Sequence, residues 1–279
     1  MYIEYMLFPI LNRFTIQKRQ IPFLLKKLEK ENIRPILDYT NENYKNHEKN
    51  DKEIRELIQT YPNQYIAVKL SSLNIIQPIR TETYLKKIIE NSIKQKSKLL
   101  IDAEQSILQS NINSLTNEFI KEYNQDKVHV YKTYQMYRKD SLNELEKDLS
   151  QPRDYFIGVK LVRGAYYKED ISTGLLYSKK EDTDKNYNRG IYLFQELSKE
   201  KDIVMCATHN EKSISIAKGL NRNIEFSQLM GMSNTLTKKL VKENYKVFKY
   251  IPYGNFRDTY PYLIRRLYEN YPMIINLWK

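Results

Sequence analysis

The chain has almost no cysteine. Cys206 is the single one in 279 residues, which excludes an internal disulfide framework and fits a reducing compartment. Set inside an apolar run, it reads as a core filler, not a nucleophile. Glycine and proline are also scarce, at 7 and 9, and nothing resembles a Pro/Gly/Ser linker. One large domain spanning residues 1–279 is expected, with a helical lead-in over 1–32 and the main fold over 33–270. No apolar run is long enough to cross a bilayer. The first twenty residues, MYIEYMLFPILNRFTIQKRQ, lack a cleavage site of small residues and read as a packing helix ahead of an organelle-targeting remnant or an interfacial helix. There is no dense basic block, RNA-binding motif or paired zinc-ligand spacing. The net charge of +12 therefore reads as lysines scattered over helices that also carry glutamates, and a basic patch as the function is the minority reading.

What the chain does contain is an alternation. Short apolar runs at 33–39, 65–73, 98–106, 128–137, 156–167, 202–210, 224–233 and 247–254 are separated by amphipathic helical segments. Eight strands each followed by a helix predict a (β/α)8 barrel of the TIM type, with a parallel sheet covered on both faces. In such a barrel, function sits at the C-terminal ends of the strands. There the sequence places Lys69; Asp102 and Glu104; Gln135; Lys160 and Arg163; Gly164, Ala165 and Tyr166; Thr208, His209 and Asn210; Leu229; and Tyr250. The small residues Gly164 and Ala165 would let a flat group approach the backbone. An interior strand cannot easily leave Lys160 and Arg163 unpaired, so an anionic partner is favoured for both. Asp102 and Glu104 have no second carboxylate or histidine beside them in sequence, so no metal site is expected. His209 reads as a hydrogen-bonded rim residue ahead of a catalytic base.

The last segment, YIPYGNFRDTYPYLIRRLYEN (250–270), ends a strand, turns at Pro252 and Gly254, and enters a helical pattern. Tyr262, Arg265, Arg266 and Glu269 fall at i, i+3, i+4 and i+7 and share one face. Two guanidinium groups with a neighbouring carboxylate could hold a small acid. An ordinary solvated face is the reading that spacing alone favours. The set of residues across strands two to eight points instead to a barrel that binds a phosphate-bearing flat cofactor beside a small acid.

KLVRGAYY, CATHN, EFSQLMGM and YIPYG followed by YLIRRLYEN resemble proline dehydrogenase, in order and over nearly the whole chain. The resemblance implies a distorted (β/α)8 barrel that binds FAD at the C-terminal strand ends. It implies oxidation of L-proline to Δ1-pyrroline-5-carboxylate, the first step of proline breakdown, with electrons passed to a membrane quinone. Carried over by position, Arg265, Arg266 and Lys69 hold the proline carboxylate and Glu269 pairs with one arginine. Tyr166, Leu229, Tyr250 and Tyr262 wall the proline ring, Ala165 floors the pocket, and Asp102 gates or organises its entrance. Gln135, Lys160, Arg163, Thr208, His209 and Asn210 contact FAD. Tyr250 corresponds to the tyrosine that favours proline over hydroxyproline by crowding the ring. The absence of G-x-G-x-x-G agrees, because a barrel flavin site is not a Rossmann site. Two positions depart from the pattern: Lys160 precedes Arg163 where some members have the reverse order, and Arg257 stands where many carry an acid. The resemblance places the protein in the cytoplasm or peripherally at an inner membrane, or on the mitochondrial matrix side, without nucleic acid as a partner. Oligomeric state stays open. The competing readings are a flavin barrel of the methylenetetrahydrofolate-reductase type and a non-catalytic protein using its basic surface for nucleic acid or membrane.

Overall fold

The computed structural model describes residues 13–41, 46–255 and 259. Eight parallel strands close into a barrel in chain order: β1 (Arg34–Tyr39), β2 (Tyr65–Val68), β3 (Lys98–Ile101), β4 (Val130–Gln135), β5 (Gly158–Val162), β6 (Ile203–Ala207), β7 (Asn223–Leu229) and β8 (Lys246–Tyr253). Helix α1 (Ile21–Lys30) leads in. Helices α2 (His47–Thr60), α3 (Pro78–Lys94), α4 (Ser106–Tyr123), α5 (Ser141–Ser150), α6 (Lys180–Leu197), α7 (Glu211–Lys218) and α8 (Asn234–Lys242) follow β1 to β7 in turn. The register of β8 on β1 runs from Arg34↔Phe248 to Tyr39↔Tyr253 and closes the cylinder. This is the TIM-type barrel that the alternation predicts. The helix expected after β8, with Tyr262, Arg265, Arg266 and Glu269, lies outside the described residues, as does Arg257.

The period of two along each strand divides the apolar residues into two cores. Leu37, Ile66, Leu99, Val159, Val204 and Phe226 face outward into the layer shared with the helices. Ile36, Tyr65, Leu100, Tyr131, Met205 and Phe248 face inward and fill the cylinder. Toward its N-terminal end the interior is plugged by Glu225, whose carboxylate accepts hydrogen bonds from Tyr65 (2.8 Å) and Tyr131 (3.0 Å). The open end is therefore the C-terminal one. Local signals start the helices there. Asn46 caps α2 by accepting from the Lys49 amide at 3.0 Å, and Asn210 caps α7 by accepting from the Ser213 amide at 3.0 Å.

The strands are shorter than the apolar runs suggest, because the polar end of each run turns into the mouth. The run 65–73 stops at Val68, and Leu70–Leu73 winds into a 3-10 turn. Glu104 pins that turn, accepting from the Ser71 amide at 2.9 Å and from its hydroxyl. A one-turn helix, Tyr167–Asp170, follows β5 where the run to 167 predicts strand. At β8 the difference has the opposite sense: Pro252 does not turn the chain but lies within the strand, in register with Asp38. Its carbonyl accepts from the Ile16 amide (3.2 Å) and the Thr15 hydroxyl (2.9 Å). Among the described residues the neighbour on that side of β8 is the Ile16 segment and not β7, which ends opposite Tyr250, so the missing N–H breaks no bond of the β7–β8 ladder.

Candidate active site

Five side chains, on or just beyond five different strands, converge inside the mouth. Asp38 is the penultimate residue of β1, Lys69 follows β2, Asp102 follows β3, Lys160 lies on β5 and Tyr250 on β8. Lys160 donates to one oxygen of Asp102 at 2.6 Å, and the Tyr250 hydroxyl donates to the other at 2.6 Å. The Lys160 ammonium also stands 4.8 Å from the centre of the Tyr250 ring, a cation–π arrangement. Lys69 lies 4.0 Å from Asp102 but closer to Asp38, meeting both of its oxygens at 2.7 Å. The Thr40 hydroxyl completes Asp38 at 3.0 Å. Burial would raise the pKa of Asp102, yet Lys160 and Lys69, with the hydrogen bonds from Lys160 and Tyr250, outweigh it and hold the carboxyl below the usual range. The result is an alternating row of charges, Asp38, Lys69, Asp102, Lys160, across the mouth. Asp102, expected at the entrance, is buried at the centre of this row.

Gln135 ends β4 and joins two loops. Its amide nitrogen donates to the Glu104 carbonyl at 2.8 Å, and its oxygen accepts from the Ala165 amide at 3.2 Å. Among the described residues, one N–H and one lone pair of that amide have no partner. Burial, only partly offset by the bonds from Ser71, pushes the Glu104 carboxyl up. Gly164 has φ +134°, and a Cβ there would lie 2.4 Å from the Tyr137 ring. Within this chain the need for glycine is thus set by backbone conformation and by Tyr137. Tyr166 is buried beside it. Leu229 faces inward in register with Tyr250 and packs against the interior core.

Lys160 and Arg163 do not share a partner in the chain. Three residues apart along a strand, they point to opposite faces. Lys160 enters the cylinder, whereas Arg163 turns outward to α6 and α7, and each has an anion supplied by the chain itself. Arg163 donates to Asp184 (2.7 Å), Thr208 (2.5 Å) and Ser213 (3.0 Å) and lies 4.5 Å over the Tyr187 ring. Burial would raise the pKa of Asp184, but Lys180 and Arg163 outweigh it and hold the carboxyl low. Thr208 also accepts from the Asn210 amide at 3.1 Å, so the side chains of Thr208 and Asn210 brace the start of α7. His209 approaches the Ser233 hydroxyl at 3.0 Å. Burial first, then the positive charges of Lys249 and Arg163, push its pKa down to about 4, so the ring is neutral at physiological pH.

Sequence reasoning missed Asp38 and Asp184. Asp38 carried the same signal as Asp102, an acid at the end of an apolar run, whereas Asp184 sits in the first turns of a helix with nothing to mark it. The residues present suit a large anionic ligand with many acceptors. Cations stand on both sides of the strand ends, and among the described residues Gln135 has hydrogen-bonding capacity to spare and the buried hydroxyl of Thr133 has no partner, although it stands in register with Lys160.

A family model described as proline dehydrogenase matches residues 24–273. The chain is 35% identical over 195 residues to the mitochondrial proline dehydrogenase 1 of Dictyostelium discoideum, covering 62% of this chain and 34% of that protein. It is 33% identical over 211 residues to the human protein of the same name, covering 68% and 34%. The chain thus spans about a third of the length of the curated relatives it matches. In fold it resembles proline utilization A from Bdellovibrio bacteriovorus, with a TM-score of 0.86 at 20% identity over 96% of this chain and 33% of that one.

Proposed function

The chain belongs to the proline dehydrogenase family, and from that premise we propose that it oxidises L-proline to Δ1-pyrroline-5-carboxylate, with FAD as cofactor and a membrane quinone as final electron acceptor. The observation that supports this reading most is the joined row of Asp38, Lys69, Asp102, Lys160 and Tyr250 inside the barrel mouth. The reaction removes a hydride from proline C5 and a proton from its nitrogen, leaving a C=N bond. Bound FAD supplies the two-electron acceptor. Gln135, Lys160, Arg163, Gly164, Ala165, Thr208, His209 and Asn210 are the residues that would hold it, the cations facing its negative charge.

The remaining chemistry is positioning. Lys69, together with Arg265 and Arg266, binds the carboxylate of proline, and Glu269 braces an arginine. Tyr166, Leu229, Tyr250 and Tyr262 wall the ring, with Ala165 beneath. Asp102 immobilises the Tyr250 hydroxyl and the Lys160 ammonium together, so that a ring wall and a cation keep a constant relation. Tyr250, tied to Asp102, leaves little room for a hydroxyl on the substrate ring, which favours proline over hydroxyproline. No nucleophile is needed, in keeping with the buried Cys206. The natural setting is the cytoplasmic face of a bacterial inner membrane or the matrix face of the mitochondrial one, with peripheral contact to the bilayer.

The test is the visible spectrum of the FAD-reconstituted protein before and after anaerobic L-proline. Bleaching of the flavin band by proline, and slower bleaching by hydroxyproline, is expected. A flavin that stays oxidised removes proline as substrate, and failure to take up FAD removes the whole reading.

A further inference from the structure

Seven large apolar side chains stand exposed among the described residues. Scattered singly they would need no explanation, but their placement is one-sided. In a (β/α)8 barrel every helix opens at the mouth and runs back down. Ile79 and Ile107 are the second residues of α3 and α4, and Phe23 is the third of α1. Ile76 lies in the turn before α3, while Tyr167 and Ile171 follow β5. The start of α1 is also at the mouth, since Ile16 just ahead of it pairs with Tyr253 at the end of β8. Six of the seven therefore ring the mouth, and only Tyr192, on the flank of α6, does not. Phe23, Ile76, Ile79 and Ile107 are 77 to 86% exposed.

The ring is tied together by hydrogen bonds. Ser106 donates its amide to Asp170 at 2.8 Å, which sets Ile107 beside Ile171. Ser71 binds Glu104, which joins the loop after β2 to the loop after β3. Next to Phe23 the charge is positive: Arg13, Lys18 and Arg19 precede the start of α1 with no acid between residues 13 and 20, and all three are exposed, Lys18 also meeting Glu53 at 2.6 Å.

We propose that the rim of the barrel mouth is the face by which this protein seats on an anionic phospholipid bilayer, the apolar side chains entering the headgroup layer and Arg13 and Arg19 meeting lipid phosphates. An apolar ring flanked by cations is what such a surface attracts. A second copy on the same face would set the same arginines of two chains close together, which disfavours a dimer. The benefit rests on the function proposed above: a quinone dissolved in the bilayer reaches the mouth without crossing water.

The test is co-sedimentation with vesicles of equal parts phosphatidylcholine and phosphatidylglycerol. Wild type should pellet with them and not with pure phosphatidylcholine. The triple variant I76S/I79S/I107S should lose about tenfold or more in vesicle affinity, while Y192S on the flank should bind as wild type. The surface is overturned if wild type does not bind, if the triple variant binds as well as wild type, or if Y192S weakens binding equally. It is also overturned if light scattering shows a lipid-free dimer that the triple variant dissolves. Proline oxidation with a water-soluble dye acceptor, run in parallel, separates the two readings. Rim-dependent binding without turnover keeps the surface and removes the function, and turnover without binding does the reverse.

Discussion

Asp38 and Lys69 meet through both carboxylate oxygens at 2.7 Å, with Asp38 1% exposed. A lysine expected to serve a ligand is thus already held by an acid of the chain, so the ligand would meet a cation of set position and not a mobile one. Asp38→Asn removes that ion pair from a buried setting and should destabilise the protein by about 3 kcal/mol, read from urea unfolding, with Asp38→Glu keeping part of the loss. His209 makes a second prediction. The folded state keeps it neutral down to about pH 4, whereas an unfolded imidazole takes its proton near 6.5. Between these values the unfolded chain binds more protons, so stability is full above about 6.5 and falls as pH drops toward 4. Wild type should lose about 2 kcal/mol more than His209→Asn between about pH 7 and pH 4.5. Equal losses in denaturant melts of the two proteins would show that His209 carries no such coupling. The period of two, legible in the letters, already separates Lys160 from Arg163. It was the pairing of each with Asp102 or Asp184 that no spacing revealed.

At the scale of elements, the segment ahead of α1 locks the open end of β8. The Ile16 amide bonds the Pro252 carbonyl, and the Gly254 amide bonds the Ile16 carbonyl, each at 3.2 Å. The loop after β7 presses on the same segment: Gly231 has φ +79°, and a Cβ there would lie 2.3 Å from the Arg13 carbonyl oxygen. Gly231→Ala is both strained and in collision with backbone, so a cost of about 2 kcal/mol or more is expected. Hydrogen exchange should rise at the amides of Ile16 and Gly254 and stay unchanged at the Glu225 end of the barrel. Uniform faster exchange would mean that the segment is not a separate lock. Proline at 252 looked like a turn because the sequence shows a missing donor but not whether any acceptor faces it.

At the scale of the whole molecule, closure matters most, because a sheet joined end to end has no edge to open. Cys206 reports on it. The thiol is fully buried, and burial pushes its pKa up to about 12 despite the nearby Tyr187. A thiol reagent should therefore leave the native protein unmodified, and labelling along a urea series should share its midpoint with loss of helical circular dichroism. Labelling under native conditions would show that the barrel opens between β5, β6 and β7 without unfolding. The family match also decides at this scale, since residues 24–273 fit proline dehydrogenase where alternation alone allowed a barrel of the methylenetetrahydrofolate-reductase type.

The order and number of strands, the placement of Lys69, Asp102, Gln135, Lys160 and Tyr250 toward the mouth, and the family itself were determined by the sequence alone. Periodicity and motif order are local properties that the letters carry directly. Which carboxylate holds which cation, why Gly164 must be glycine, and that the exposed apolar residues gather on one rim were decided only by the tertiary structure. Each depends on groups brought together from distant strands, such as Asp38 with Lys69 or Tyr250 with Asp102 across 148 positions, and such distances are set when the barrel closes, not by spacing along the chain.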